Sequence, residues 1–278
     1  MDQTDNLEYE IIVVDNNSPD DADGTKALSE NPNVRFFQAP ENLGFGRANN
    51  MAASSANGRY LFFLNPDTIL VNNAITEMVS FLENNSAVGA CGGNLYDADH
   101  CPTHSFSRLF PSITKELDLA SRRIISRLLF GRSHEFNYSS HPIEVAYITG
   151  ADLMIPAKVW NEVGEFSDDF FMYYEETELE YRIRKAGYKV YSIPTAKIIH
   201  LEGKSFGLNV EREKRILRGR FVFFNKIYGS FYNTIANRMN LTLYGLGSFL
   251  CRLTGNKEDY EKYSTRKGLY REEMRRWS

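Results

Sequence analysis

Cysteine is scarce in this 278-residue chain: Cys91, Cys101 and Cys251 make an odd number with no Cys-x-x-Cys pair. That excludes a disulfide framework and a zinc ribbon, and it argues for a reducing, cytosolic compartment. Long apolar runs are missing too. No segment reaches the roughly 18 to 20 uninterrupted apolar residues of a membrane span. Met1 is followed by the polar run Asp2 to Asn6 instead of a secretory leader, so the chain is not expected to cross a bilayer. Nor is there a basic surplus, since 32 Lys and Arg against 36 Asp and Glu leave a net charge of −4. The deficit is uneven: residues 208–278 hold 15 basic and 7 acidic residues, a net of +8, against 17 and 29 in residues 1–207, a net of −12. An acidic body is a poor match for phosphate backbones, so no nucleic-acid partner is expected, whereas the basic tail suits an anionic surface.

What is present is an ordinary globular composition. With 42% hydrophobic and 13% aromatic residues the chain can bury a sizeable core, as one large domain or one plus an appendage. "EIIVV" (10–14), "VRFFQ" (34–38), "RYLFFL" (59–64) and "AVGACGG" (87–93) are short apolar runs bounded by Asn, Asp, Pro or Gly, and they read as buried strands. Between them "DGTKALSE", "FGRANNMAASSA" and "NNAITEMVSFLENN" carry apolar residues at helical spacing, with Asn72 and Asn73 as N-cap candidates. Alternating strand and helix predict an α/β fold with a parallel sheet. Ligands collect at the carboxyl ends of such strands, where Asp15-Asn16-Asn17-Ser18 and Asn65-Pro66-Asp67 stand.

Further on, "SITKELDLASRRIISRLLFG" (112–131) predicts one amphipathic helix with a basic polar side. "VAYITGADLMIPAKVW" (145–160) reads as a strand, a Gly-Ala turn and a second apolar run. Four acids within six positions then open a helix that Gly187 closes before another strand, and "AKIIHLEGKSFG" puts His200 at a strand end ahead of Lys204 and Ser205. "HCPTH" (100–104) reads as a plain loop, because Pro102 and the lack of further spaced ligands do not suit zinc. From 208 onward the chain reads as amphipathic helix, serving either as ordinary packing helices or as a peripheral membrane face.

Taken singly, the candidate site residues have plain explanations. Glu175, Glu176 and Glu178 suit a helix N-terminus, Asp67 suits a turn, and His200 suits a strand end. Taken together, a carboxylate, an imidazole and loop donors at separate strand ends make an oxygen and nitrogen site suited to Mg²⁺ or Mn²⁺ held with a substrate diphosphate. The dense glutamates would raise some of one another's pKa values, which suits a general base.

The ordered set "EIIVVDNNSPD", "ENLGFGRANN", "GRYLFFLNPDTIL", "ITGADLMIPAKVWNEVGEFSDDFFMYYEETELEYRIRKAGYKV" and "IIHLEGKSFG" resembles the family 2 glycosyltransferases, in their bacterial rhamnosyltransferase-like branch. The resemblance covers about residues 1–207. It implies a GT-A fold, an α/β architecture with a Rossmann-like, mostly parallel nucleotide-sugar-binding sheet, over 1–207, with 208–278 a basic helical C-terminal region. It implies an inverting transfer of a sugar from a nucleotide-diphosphate donor, dTDP-rhamnose being the commonest in that branch, to a hydroxyl of a polysaccharide or lipid-linked acceptor. The setting it implies is cytoplasmic or at the inner face of the plasma membrane.

Position by position, Asp15 matches the acid that contacts the nucleotide base or ribose, with Asn17, Asn42 and Gly44 in the same donor-binding segments. Asn65-Pro66-Asp67 matches the Asp-x-Asp metal motif with only its last acid kept, and His200 matches a histidine completing the metal or diphosphate site. Lys204 and Ser205 match phosphate contacts. Gly150 and Ala151 match the small pair lining the sugar and acceptor cleft, and Asp152 stands where the family is usually apolar, with an acceptor contact its one evident role. Glu175-Glu176 matches the Glu-Asp pair at the start of the catalytic helix, which makes Glu176 the expected base and Glu175 its alternative.

The family's opening strand and most of its first helix have no counterpart before "MDQTDNLEYE", which suggests an N-terminally truncated chain and keeps open an inactive copy that acts as a binding protein. A sugar nucleotidyltransferase is the other alternative, but it would need a Gly-rich, Arg-containing loop near its start.

Overall fold

β-branched and aromatic side chains at successive positions extend the backbone of the first two strands. In the computed structural model, which describes residues 7–18, 30–31, 34–201 and 209–277, β1 (Ile11–Asp15) and β2 (Val34–Gln38) pair in parallel as a two-stranded sheet, Ile11 opposite Val34 and Asp15 opposite Gln38. Apart from Glu30, the helix predicted for "DGTKALSE" lies outside the described residues.

The chain then runs through α1 (Phe45–Ala53), β3 (Tyr60–Leu64), β4 (Thr68–Leu70), α2 (Ala74–Asn84) and β5 (Val88–Tyr96). Next come β6 (Phe106–Ser107), α3 (Ile113–Ala120), α4 (Ile124–Phe130), β7 (Ile143–Glu144), β8 (Tyr147–Ile148) and β9 (Asp152–Pro156). After α5 (Ala157–Val163), α6 (Glu175–Lys185) leads into β10 (Lys189–His200). A six-stranded sheet has the order β3-β9-β5-β10-β4, with β7 also on β10, while β6 and β8 pair separately. β9 runs antiparallel to both β3 and β5, and β10 runs parallel to β5, so β3, β5 and β10 point the same way.

β3 shows why the sequence folds this way. Leu61 and Phe63 face a core with Trp160 and Phe166, where the Phe63 ring lies 5.0 Å from each of the other two. Tyr60 and Phe62 face the opposite core, against Ala74, Met78 and Leu82 of α2. Burying each such ring or aliphatic side chain contributes about 2 kcal/mol, and the two-sided demand explains the continuous apolar run.

Three expectations need adjusting. The strands read at "VYSI" and "AKIIH" are halves of one strand, β10, whose register with β5 shifts between Ile193 and Lys197 around Pro194. Asn72 does not cap α2. It bridges that irregularity, donating to Thr195 O at 2.7 Å and accepting from Lys197 N–H at 3.0 Å, and Asn73 holds the N-cap position. The single helix expected over 112–131 is two, because Arg122 (φ 54°) and Arg123 (φ 66°) turn left-handed and the Arg123 N–H closes back on Asp118 O at 2.6 Å.

Two compact units result. The first takes residues from 1–110, 126–171 and 175–203 and holds all the sheets. The second takes 111–125, 172–174 and 204–278. It contains α3, α7 (Val210–Tyr228), α8 (Ser230–Thr254) and α9 (Lys257–Arg276), with Gly229 and Gly255 at the turns between the last three. Its centre is polar. Buried Arg220 meets Glu116 Oε1 and Asn237 Oδ1, each at 2.5 Å, and lies 4.1 Å over the Phe224 ring. Asn240 donates to Glu116 Oε2 at 3.0 Å and to the Tyr270 hydroxyl at 3.2 Å.

Candidate active site

The carboxyl end of β3 opens onto Asn65-Pro66-Asp67, and the antiparallel pairing of β4 with β10 sets His200 opposite Thr68. That register brings Asp67 Oδ1 to 3.2 Å from His200 Nε2, with Asn65 Nδ2 3.4 Å from the same nitrogen. The Leu201 N–H donates to Asp67 O at 2.8 Å and fixes the turn to the strand. Asp67 is 45% exposed and His200 12%, so the pair opens to solvent from the carboxylate side. Among the described residues no cluster of three or more His, Cys, Asp and Glu forms. One carboxylate and one imidazole nonetheless fit a small hard cation, since Mg²⁺-type ions commonly take only one or two protein ligands and complete their shell with substrate phosphate and water.

From Asn65 the site continues without a break. Asn65 N–H donates to Ala151 O at 3.0 Å, and Gly150 lies beside Glu176, such that a Cβ at Gly150 would stand 3.5 Å from Glu176 Cγ. Glu176 belongs to the first turn of α6, whose acids sit at its N-terminus and whose Arg182, Arg184 and Lys185 sit at its end, as the helix dipole favours. Tyr173 (φ 72°) and Tyr174 (φ 75°) immediately precede Glu175, and two successive left-handed non-glycine residues are costly backbone found where geometry is imposed. Glu175 is buried.

Two acids behind this turn carry the electrostatics. Glu180 is fully buried: Oε1 accepts from Ile148 N–H at 2.7 Å, and Oε2 has no hydrogen-bond partner among the described residues. Burial pushes its carboxyl well above the ordinary range, and Glu176 and Asp152 add to the rise. Asp152 is also fully buried; Oδ2 accepts from Gly93 N–H at 2.5 Å, Oδ1 has no hydrogen-bond partner among the described residues, and burial raises its pKa likewise. It stands beside Gly92, where a Cβ would come within 3.3 Å of Oδ1.

The other end of the site is built on β1 and β2. Asp15 Oδ1 accepts from Ser18 N–H at 3.1 Å and Oδ2 from Gln38 Nε2 at 2.7 Å; the Ser18 side chain is the largest influence holding its pKa below the usual value, with Gln38 and the Ser18 N–H adding to it. Asn16 ties the next loop down, donating to Asn42 Oδ1 at 3.2 Å and Gly44 O at 3.1 Å and accepting from Leu43 N–H at 2.7 Å. Gly44 has φ 81°, and a Cβ there would lie 2.0 Å from Phe171 O, so no other residue fits. Two residues on, a Cβ at Gly46 would lie 3.6 Å from Glu175 Cβ, so α1 links the Asn42-Gly44 loop to the start of α6.

The structure therefore assembles Asn65, Asp67, His200, Gly150, Ala151, Glu175 and Glu176 into one contiguous arc, with Asn42 and Gly44 reached through α1. Asp15 and Asn17 flank Asn16 at the end of β1, Asn17 exposed at φ 57°. Lys204 and Ser205 lie outside the described residues. From the sequence Asn16 had only a place in the polar group after β1 and Glu180 only one among four acids opening a helix, and the burial of Asp152 had no sign. The i, i+4 spacing of Glu180 from Glu176, with Leu179 and Ile183 on the apolar side, was the available signal.

A sheet of this order with acids and a histidine at its strand ends defines the class as a glycosyltransferase-type GT-A fold. Two solved structures share it at a TM-score of 0.50. GalNAc-T7 with UDP, GalNAc and Mn²⁺ is 18% identical and covers 76% of this chain, which spans 41% of that one. The mannosyltransferase PcManGT from Pyrobaculum calidifontis with GDP-Man and Mn²⁺ is 14% identical, covering 94% of this chain and 75% of its own. More specifically, residues 1–134 match the model of Glycosyl transferase family 2. Among relatives, the Mycobacterium tuberculosis N-acetylglucosaminyl-diphospho-decaprenol L-rhamnosyltransferase is 25% identical over 215 residues, 71% of this chain and 68% of the relative. The Haloferax volcanii low-salt glycan biosynthesis hexosyltransferase Agl10 is 22% identical over 238 residues, 82% and 72% of the two chains.

Proposed function

We propose that the chain is an inverting glycosyltransferase that moves a sugar from a nucleotide-diphosphate donor to a hydroxyl of a glycan or lipid-linked acceptor in cell-surface glycan synthesis. The observation that carries this reading is the continuity from Asp67 and His200 through Asn65, Ala151 and Gly150 to Glu176. The Mycobacterium relative supports rhamnose as the sugar and a polyprenyl-linked acceptor. Asp67 and His200 would hold Mg²⁺ or Mn²⁺, which supplies positive charge against the departing diphosphate when bound; the manganese in both solved structures supports that assignment.

The chain's own residues supply the remaining chemistry. Glu176 accepts the acceptor hydroxyl proton while that oxygen bonds to the anomeric carbon and the carbon–phosphate oxygen bond breaks, with no covalent enzyme intermediate. Glu175 is buried next to it. One helical turn away, burial and the neighbouring Glu176 and Asp152 push the Glu180 carboxyl up, which favours its neutral form beside Glu176. Asp15, held ionised, accepts hydrogen bonds from the nucleoside.

A thermal shift with nucleoside diphosphates, with and without Mn²⁺, followed by transfer assays on a panel of nucleotide sugars tests this. Asp67→Asn should lose the Mn²⁺-dependent shift, and Glu176→Gln should keep the shift but lose transfer by at least about 100-fold. Unchanged transfer in either purified variant overturns the assignment.

A further inference from the structure

One face of α8 has the wrong polarity for a helix that meets only water. Phe231, Ile235, Leu246, Phe249, Leu250 and Leu253 recur at helical spacing and are all exposed, Phe231 by 80% and Leu253 by 68%. They lie on one face in two groups, Phe231 with Ile235 and Leu246 to Leu253, spanning about 33 Å at 1.5 Å per residue, with Arg238 and Thr242 exposed between the groups. The opposite face is the polar one, with Asn233, Asn237 and Asn240 buried inside the second unit. Over its 25 residues α8 has no Asp or Glu, and its two charges, Arg238 and Arg252, are both exposed.

We propose that this apolar face is a docking surface for an anionic bilayer, with α8 lying in the plane of the interface. The helix does not span, since no helix among the described residues is long and apolar enough to cross a membrane. An apolar face rimmed by arginine and free of carboxylates is the pattern of an interfacial helix, which buries its apolar face at the headgroup boundary and draws on anionic lipid for the rest. A second copy of the chain is the weaker occupant, because residues 208–278 carry a net of +8 and pairing two such tails would bring like charges together. The surface deepens the proposed function, and rests on it only for what the docking is for: bringing the enzyme to a lipid-linked acceptor.

The test uses the full chain with sucrose-loaded vesicles of phosphatidylcholine, either pure or with about one-third phosphatidylglycerol. Wild type should sediment with the anionic vesicles and far less with the neutral ones. The double variant Phe249→Ser, Leu253→Ser should bind about 100-fold more weakly, roughly tenfold per side chain, with an unchanged circular dichroism spectrum because both positions are exposed. Equal binding by wild type and variant, or no binding to either vesicle, overturns the proposal. So does a wild-type dimer in sedimentation equilibrium that the variant turns into a monomer, which would assign the face to a second copy. A nucleoside diphosphate thermal shift in vesicle-free buffer reports on the transfer site separately, so the two readings fail independently.

Discussion

Replacing Glu180 by Gln isolates the electrostatics behind the candidate base. In the folded chain the Glu180 carboxyl is buried and its pKa lies well above the ordinary value, whereas in the unfolded chain it titrates near about 4.3. The folded state therefore holds a proton that the unfolded state has released. Such a group contributes stability that is fully present below the unfolded pKa and is lost as pH rises through the folded pKa, at about 1.4 kcal/mol per pH unit between the two. Gln keeps an oxygen for the Ile148 N–H and carries no proton to lose. Relative to wild type, Glu180→Gln should gain about 1.4 kcal/mol for each pH unit climbed above about pH 5 until the folded pKa is reached, or roughly 2.7 kcal/mol over two units. Urea unfolding at several pH values, followed by Trp160 fluorescence in a Trp277→Phe background, reads the unit that contains Glu180. Parallel curves, with a variant-to-wild-type difference independent of pH, would refute the reasoning, because they would mean that Glu180 is ionised when folded.

Other outcomes follow from the same geometry. Gly44→Ala puts a Cβ against Phe171 O at a left-handed backbone position and should cost at least about 2 kcal/mol in denaturant midpoint, with weaker nucleotide binding. Gly150→Ala adds a methyl at ordinary contact distance from Glu176, so melting should move by less than about 0.5 kcal/mol while transfer slows by roughly tenfold or more. Arg220→Ala strips the buried partner from Glu116 and Asn237 and should destabilise by about 3 to 5 kcal/mol in thermal melts; a loss under about 1 kcal/mol would show that the network is not closed.

How much the residues announced in advance depended on what kind of information each feature needs. β3 and its Asn-Pro-Asp end were legible because composition and turn chemistry act locally over a few residues. The acids of α6 were legible because they crowd a helix start. β10 was split in two because Pro194 interrupts the apolar period, and only the partner strand and Asn72 show that pairing resumes beyond it. The helix over 112–131 has an unbroken amphipathic pattern, and the left-handed pair Arg122-Arg123 leaves no mark in residue type, since arginine has no special liking for that conformation. The enclosure of Glu180 and Asp152 leaves no local mark, because whether a carboxylate is solvated or enclosed depends on elements far away in the chain: Ile148 for one, Gly93 for the other.

The separation of β1 and β2 from the six-stranded sheet gives the two ends of the site unequal stiffness. Among the described residues, the Asp15 end rests on a ribbon of two strands, while Asp67, His200 and Gly150 hang on strands with neighbours on one or both sides. A ribbon of two strands is only marginally stable by itself, so local opening there takes less free energy than opening of β5 or β10. Amide hydrogens of Ile11–Asp15 should exchange with solvent much sooner than those of β10, and a bound nucleotide should slow them selectively. Part of the donor's binding energy is then spent in quieting that ribbon, and nucleotide analogues of equal contact area will be ranked by how fully they order it.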